Sequence, residues 1–592
     1  MQRTAPVATG VTGFSAPGAP LAALALLALG ALFAYHNSFD GRFLFDDRSA
    51  ILENPDLRHL ATTLRENPGA GPTLVGRPVL RLSLWINYAL GGLAVRGYHV
   101  LNLLLHVLAA WTLWALARRL LESPGLRGRY RETAFGLALA IALIWTVHPL
   151  QTESVSYVVQ RAEILGGLFY LLTLYSVTRC ASAGGRGSGV WGLLAVASCL
   201  AGVASKETVA TAPLLALAMD RVFFEPSWRR LWQARRGLYL ALCSTWIVLA
   251  LLMRISSRRL GSAGFGLGMH WWEYALTQPY FICRYLGLSL FPSTLTLDYG
   301  FYLARTFGEV APYAALVLLL LTLTVVGLWL APPLGFCGLW FFLILAPTSS
   351  VVPLVTQTGA EHRMYLPLAG LIALGVVAGE ALWLRAPPGL RTRFWGVPWL
   401  VLVSLVAALG VRTVQRNEDY RSELSIWQSV ANDWPSNPRA HYNLGIALAN
   451  AGRPREAILQ YEEAVRLPPD APDPHFNLAS LLASAGRASE AIHQYEEGLR
   501  LEPDSAEAHF NLGNLLAGTA RVPQAIAHYE EGLRLEPDSA EAHFNLGNLL
   551  VIAGRRDEAI VQYKEALRLK PDLDRASINL GSVLANPPSG PH

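Results

Sequence analysis

Two adjacent acids, Asp46 and Asp47, stand in the stretch FLFDDRSAILENPDL (Phe43 to Leu57), just past an apolar run from Leu21 to Tyr35. Carboxylates beside a bilayer are costly unless solvated or used, so this pair is the first place to look for proton transfer. A carboxylate within hydrogen-bond reach of a hydroxyl takes its proton as the oxygen attacks an electrophile. With two acids, one can take the proton while the other positions a partner. The spacing leaves open which does which.

Three further polar clusters border apolar segments. In HPLQTESVSYVVQRAEILGG, from His148, the residues Glu153, Tyr157, Gln160 and Arg161 share one face if the stretch continues as a helix. A plain Glu153–Arg161 ion pair is the structural alternative. SKETVATAPLL places Lys206 and Glu207 at the end of a span, either as snorkelling and capping residues or as part of a site. TGAEHRMYLPLAG sets Glu361, His362 and Arg363 immediately before another apolar run. Cations there either meet lipid headgroups or stabilise a departing phosphate, and Arg161, His362 and Arg363 are the candidates for the second task.

The elements that must position these groups are membrane helices. Of the 592 residues, 52% are hydrophobic and 15% charged, with a mean hydropathy of +0.32, which are proportions of a polytopic membrane protein. The net charge of +5 is not clustered with aromatics, so nucleic acid is not an expected partner. Cys180, Cys199, Cys243, Cys283 and Cys337 lie scattered in apolar stretches without metal-ligand spacing, which argues against a disulfide framework or a zinc site. No DxD-type pattern for a nucleotide-sugar and metal stands out, though a divalent ion at the aspartate pair stays compatible with the sequence.

After the first run, apolar windows recur over Tyr98–Ala117, Thr133–Val147, Ile164–Thr178, Val190–Ala204, Val209–Phe223, Gly237–Met253, Pro312–Leu330, Leu334–Leu345, Tyr365–Leu384 and Trp395–Gly410. They make about eleven spans if Tyr274–Phe291 is interfacial or re-entrant. Arginines crowd alternate loops (Arg118 to Arg131, Arg179 and Arg186, Arg221 to Arg236, Arg385 to Arg393), which places those loops and the N-terminus in the cytoplasm. All the polar clusters then fall on the outer face. GRPVLRLSLWINYALGG, Gly76 to Gly92, suits an amphipathic interfacial helix.

From Pro438 the chain becomes periodic. HYNLG, HFNLA, HFNLG, HFNLG and SINLG begin at His441, His475, His509, His543 and Ser577, the spacing of tetratricopeptide repeats (TPR). Leu444, Gly445, Ala457, Tyr461, Ala464 and Pro469 occupy the packing positions of a helix pair, and Leu512, Gly513, Ala525, Tyr529, Gly532 and Pro537 repeat them. Asn443, Asn477, Asn511, Asn545 and Asn579 recur once per unit. They are either a ladder of amides for an extended polypeptide or ordinary consensus residues. The recurring histidines suit repeat packing better than a metal array. The domains therefore read as a disordered N-terminus (1–19), a membrane domain (20–415) with a catalytic first external loop (36–97), a linker and lead-in helix (416–438), and a TPR domain (439–592) of about four full repeats plus a closing helix.

The motifs FDDRSAILENPDL, RPVLRLSLWINYALGG, GYHVLNLLLHVL, HPLQTESVSYVVQRAEILGGLFYLL, SKET and EHRMYLPLAG, in that order before a TPR array, resemble the transmembrane and tetratricopeptide repeat-containing O-mannosyltransferases and their bacterial relatives. The likeness covers nearly the whole chain. It implies an all-α protein, a polytopic helical membrane domain of the glycosyltransferase C type followed by a TPR α-solenoid. It further implies an enzyme that takes a sugar, mannose in characterised members, from a polyprenyl-phosphate carrier and moves it to Ser or Thr hydroxyls of extracytoplasmic polypeptides, with no required cofactor. On that resemblance Asp46 and Asp47 supply the base. His148, Glu153, Gln160, Lys206, Glu207 and Glu361 support the phosphate-binding cations, and Asn443, Asn477, Asn511 and Asn545 hold the acceptor. The expected setting is a bacterial inner membrane with periplasmic repeats, or the endoplasmic reticulum with lumenal repeats. The rival readings are a catalytically silent membrane-anchored TPR scaffold, and a transferase acting on lipid or cell-wall glycan.

Overall fold

A computed structural model describes residues 18–585 except 66–72, 184, 256–268, 301, 305, 351 and 355–356. The expected disorder over 1–19 lies, up to residue 17, outside the described residues. Among the described residues every regular element is helical.

The chain divides into two units, the first ending at Asp433. Among its described residues, eight helices are long and apolar enough to cross a membrane: Ala19–Asp40, Val95–Leu121, Val158–Ser182, Gly185–Val203, Trp228–Arg254, Phe307–Leu330, Pro367–Arg385 and Val397–Asp419. Ala134–Val147 and Pro149–Ser156 form a ninth candidate, bent by 57° where Pro149 interrupts the ladder. Of the remaining segments read as spans, Pro332–Leu345 is apolar but shorter, and Ala212–Phe223 has 12 residues. At 1.5 Å per residue, the latter covers about 18 Å of a hydrocarbon core of about 30 Å. The polar stretch 205–211 that precedes it accounts for the shortfall. The segment expected to be interfacial or re-entrant is the helix Trp271–Leu290, with Pro279 inside it.

Buried aromatics and small residues hold the polar turns in place. Trp145 is fully buried and donates its indole N–H to the Tyr365 carbonyl at 2.7 Å. His106 bonds the Tyr365 hydroxyl at 3.0 Å and the Thr146 carbonyl at 3.1 Å. Gly167 admits the Tyr365 ring, since a Cβ there would lie 2.5 Å from its Cε1. These contacts fix the segment around Tyr365 against the helices carrying Trp145 and Gly167.

The second unit begins at Trp434. Its helices pair as Pro438–Asn450 with Pro454–Arg466, Pro472–Ser484 with Ala488–Leu501, Ala506–Gly518 with Val522–Leu535, and Ala540–Ile552 with Arg556–Leu569, closed by Asp574–Ala585. The small and large positions behave as their spacing predicts. A Cβ on Gly445 would lie 2.5 Å from the Tyr461 ring, and one on Gly547 would lie 2.7 Å from that of Tyr563. Each repeat's first histidine spans the pair: His441 bonds Gln460 at 2.8 Å and the Pro435 carbonyl at 2.9 Å, and His543 bonds Gln562 at 2.6 Å and the Pro537 carbonyl at 3.0 Å. These histidines are packing residues.

Candidate active site

The two aspartates sit on a tight turn and face different surroundings. Phe45 adopts a left-handed backbone, with φ +40°, and the Asp47 N–H closes the turn on the Leu44 carbonyl at 2.7 Å. The Asp47 carboxylate is fully buried and accepts the N–H groups of Leu44 at 3.0 Å and Val159 at 2.8 Å. Burial pushes its carboxyl up to about 8, against the pull of those two N–H groups. Asp46 is half-buried, and its own N–H donates to the Tyr157 hydroxyl at 2.9 Å. Asp47 therefore stitches the first loop to the 157–159 segment, while the Asp46 side chain is the partly exposed member of the pair.

The stretch from His148 is not one helix, which corrects the expectation of a single polar face. A short helix Thr152–Ser156 ends at Tyr157 in extended backbone, and Arg161 opens the next long helix after a 3-10 turn. The reason is competition for backbone groups. The Asn102 amide donates to the Val155 carbonyl at 3.1 Å, and Asp47 takes the Val159 N–H, so neither group is left for a continuous ladder. Glu153 and Arg161 consequently have different partners, and the ion pair between them does not form.

Glu153 instead meets His362. Its carboxylate lies 2.6 Å from His362 Nδ1 and accepts the His362 backbone N–H at 3.0 Å. His362 Nε2 lies 3.7 Å from Glu163, which pairs with Lys206 Nζ at 2.8 Å. The four side chains form a row of alternating acid and base, almost wholly buried. Gly166 makes room for it, because a Cβ there would lie 2.8 Å from that of Lys206. Glu163 was not singled out from the sequence. Its only signal was an acid two residues after Arg161 at the head of an apolar helix.

The two arginines are engaged otherwise. Arg161, fully buried, donates to Asn102 Oδ1 at 2.5 Å and to the Ser83 and Tyr98 carbonyls at 3.1 Å each. Arg363 donates to the carbonyls of Thr348 at 2.9 Å, Gln357 at 2.6 Å and Thr358 at 3.1 Å. Both guanidinia tie loops to helix ends. Glu361 accepts the Thr296 N–H at 2.7 Å and the Tyr299 hydroxyl at 3.0 Å, and burial pushes its carboxyl up to about 7. Glu207 pairs with Arg77 at 2.9 Å. His148 bonds the Ser289 carbonyl at 3.2 Å and caps its own turn through the Leu150 N–H. Gln160 stands half-buried at the head of the helix Arg161–Ser182. Among the described residues, no three His, Cys, Asp or Glu side chains come together as metal ligands do.

In the repeats, the asparagines divide. The Asn477 amide donates to the Tyr442 hydroxyl of the preceding repeat at 3.2 Å, and that of Asn545 to Tyr529 at 3.1 Å. Asn579 donates to Asn548 at 2.8 Å. Asn511 is exposed, and Asn443 is half-buried.

Tetratricopeptide repeat families match residues 415–472 and 513–574, and 480–519. Protein O-mannosyl-transferase Tmtc1 of Drosophila melanogaster is 28% identical over 72% of this chain and 59% of its own length. Protein O-mannosyl-transferase TMTC4 of Homo sapiens is 26% identical over 73% of this chain and 64% of its own. Protein O-mannosyl-transferase F38B6.6 of Caenorhabditis elegans is 24% identical over 74% of this chain and 62% of its own. The chain thus spans about six tenths of the length of these relatives. Its apolar helices, its repeats and this similarity along nearly three quarters of its length make the chain a TMTC-like membrane protein with a TPR domain.

Proposed function

We propose that the protein transfers a sugar, mannose by the names of its relatives, from a polyprenyl-phosphate carrier to Ser or Thr hydroxyls of extracytoplasmic polypeptides. The observation that carries the reading is the unequal environment of the two aspartates. Asp47 is buried and pinned by two backbone N–H groups, and Asp46 is held beside it with its side chain partly exposed. Asp46 accepts the proton of the acceptor hydroxyl as its oxygen bonds to the anomeric carbon. The bond from that carbon to the phosphate oxygen breaks, the anomeric centre inverts, and the lipid phosphate leaves with the electron pair.

The departing phosphate needs cations that can reach it. Arg161 and Arg363 have guanidinium N–H groups committed to carbonyl and amide oxygens, whereas His362 and Lys206, nearly buried, have the carboxylates of Glu153 and Glu163 as partners. We therefore assign the phosphate to His362 and Lys206, with the arginines shaping the loops around them. The exposed amide of Asn511 and that of Asn443 are the part of the asparagine ladder assigned to the acceptor polypeptide. We read the aspartate turn as extracytoplasmic, facing the periplasm of a bacterium, a reading supported by the arginines that crowd alternate loops.

Intact-mass analysis of extracytoplasmic proteins tests the reading. Hexose additions present with the intact gene are expected to vanish on its deletion and to stay absent when it is replaced by Asp46→Asn. Full hexose addition by that variant overturns the enzymatic reading and leaves the scaffold.

A further inference from the structure

Asp46 projects from a backbone that costs energy to hold. Phe45, the residue before it, has φ +40°, a region that non-glycine residues occupy only where their surroundings over-determine it. One such determinant is the Phe45 ring, which meets that of Trp427 at a centroid distance of 5.6 Å and an interplanar angle of 79°. Aromatic pairs in this T-shaped arrangement attract beyond the area they bury. The two partners are unequal: Phe45 is 43% exposed, whereas Trp427 is 3% exposed, seated on the helix Glu423–Asp433 among the buried Ile426, Val430 and Ala431. That helix leads the chain into the repeats and lies inside a TPR family match, 415–472.

We propose that Trp427 is a positioning residue for Asp46, holding through the Phe45 ring the left-handed turn from which that carboxylate projects. Trp427 touches neither donor nor acceptor in this role. The proposal rests on the reading of Asp46 as the base.

The test uses the full-length protein in membranes, with polyprenyl-phosphate mannose as the probe and its consumption as the readout. Trp427→Leu keeps apolar volume and removes the ring. The maximal rate should fall about two- to tenfold, the range to which an aromatic edge-to-face pair converts, with the KM for donor unchanged. Phe45→Leu breaks the same contact from its exposed side without disturbing a core, and the same fall is expected, while Trp427→Phe should retain the rate. Glycine accepts the left-handed backbone without strain, so Phe45→Gly combined with Trp427→Leu should be no slower than Phe45→Gly alone. Losses that multiply in the double variant overturn the proposal. So does a wild-type rate in both leucine variants while Asp46→Asn is inactive. Activity in Asp46→Asn sinks the base reading and this proposal with it.

Discussion

The Asp46 N–H donates to the Tyr157 hydroxyl at 2.9 Å, so the first loop is bonded at the base candidate itself to the break in the polar stretch after His148. Its neighbour Asp47 bonds the Val159 N–H two residues further on. The two acids therefore fail differently when neutralised. Asp46→Asn should abolish transfer and destabilise the fold less than Asp47→Asn does, because Asp46 is half-buried where Asp47 is fully buried. Asp47→Asn replaces one of two accepting oxygens with a donor facing a backbone N–H, and should cost about 1–3 kcal/mol of stability as well as activity. Unfolding temperatures and donor consumption, measured side by side, separate the two. Equal destabilisation by both variants would refute this division.

Lys206 and Glu163 are a buried pair, and removing one partner leaves the other charge uncompensated. Lys206→Met should destabilise by about 3–5 kcal/mol and abolish donor consumption. Adding Glu163→Leu should return most of the stability and none of the activity, since the cation for the phosphate is still missing. Recovery of both would show that Lys206 serves only the fold.

The repeats and the spans were legible because each is a local, periodic pattern: a glycine facing a tyrosine at fixed spacing, or an apolar run. The candidate acids stand out in the sequence by residue type and by their place beside apolar runs. Partnerships were not, because they are set at long range. The helix break at Tyr157 depends on Asn102 and Asp47, 53 and 112 residues before their backbone partners, and no window around His148 contains either. For the same reason the sequence around Arg161 does not show its partners, Ser83, Tyr98 and Asn102.

The asparagine ladder should divide in function as it does in its bonds. Asn477→Ala removes an inter-repeat hydrogen bond and should lower the unfolding free energy by about 0.5–1.5 kcal/mol. Asn511→Ala, at an exposed position, should leave stability unchanged and raise the KM for the protein acceptor. If the KM responds to Asn477 alone, the groove assignment of Asn511 fails.

Glu361 gives a pH dependence whose sign follows from its burial. Its carboxyl is pushed up to about 7 by desolvation, against the pull of Arg416 and of the Thr296 N–H. In the unfolded chain it titrates near an ordinary value of about 4.3. The folded state thus binds the proton more tightly, and the stability this contributes is fully present below about pH 4 and lost as pH rises through about 7. Both hydrogen bonds from Thr296 and Tyr299 go to the same oxygen, Oε1, so a glutamine can accept both and never ionises. Glu361→Gln should unfold at nearly the wild-type temperature at about pH 5 and at a higher one at about pH 8, because only the wild type must carry a buried charge there. Unfolding temperatures measured across that range check the sign. Parallel curves for the two proteins would mean that Glu361 is already ionised in the fold at low pH, with Arg416 outweighing its burial.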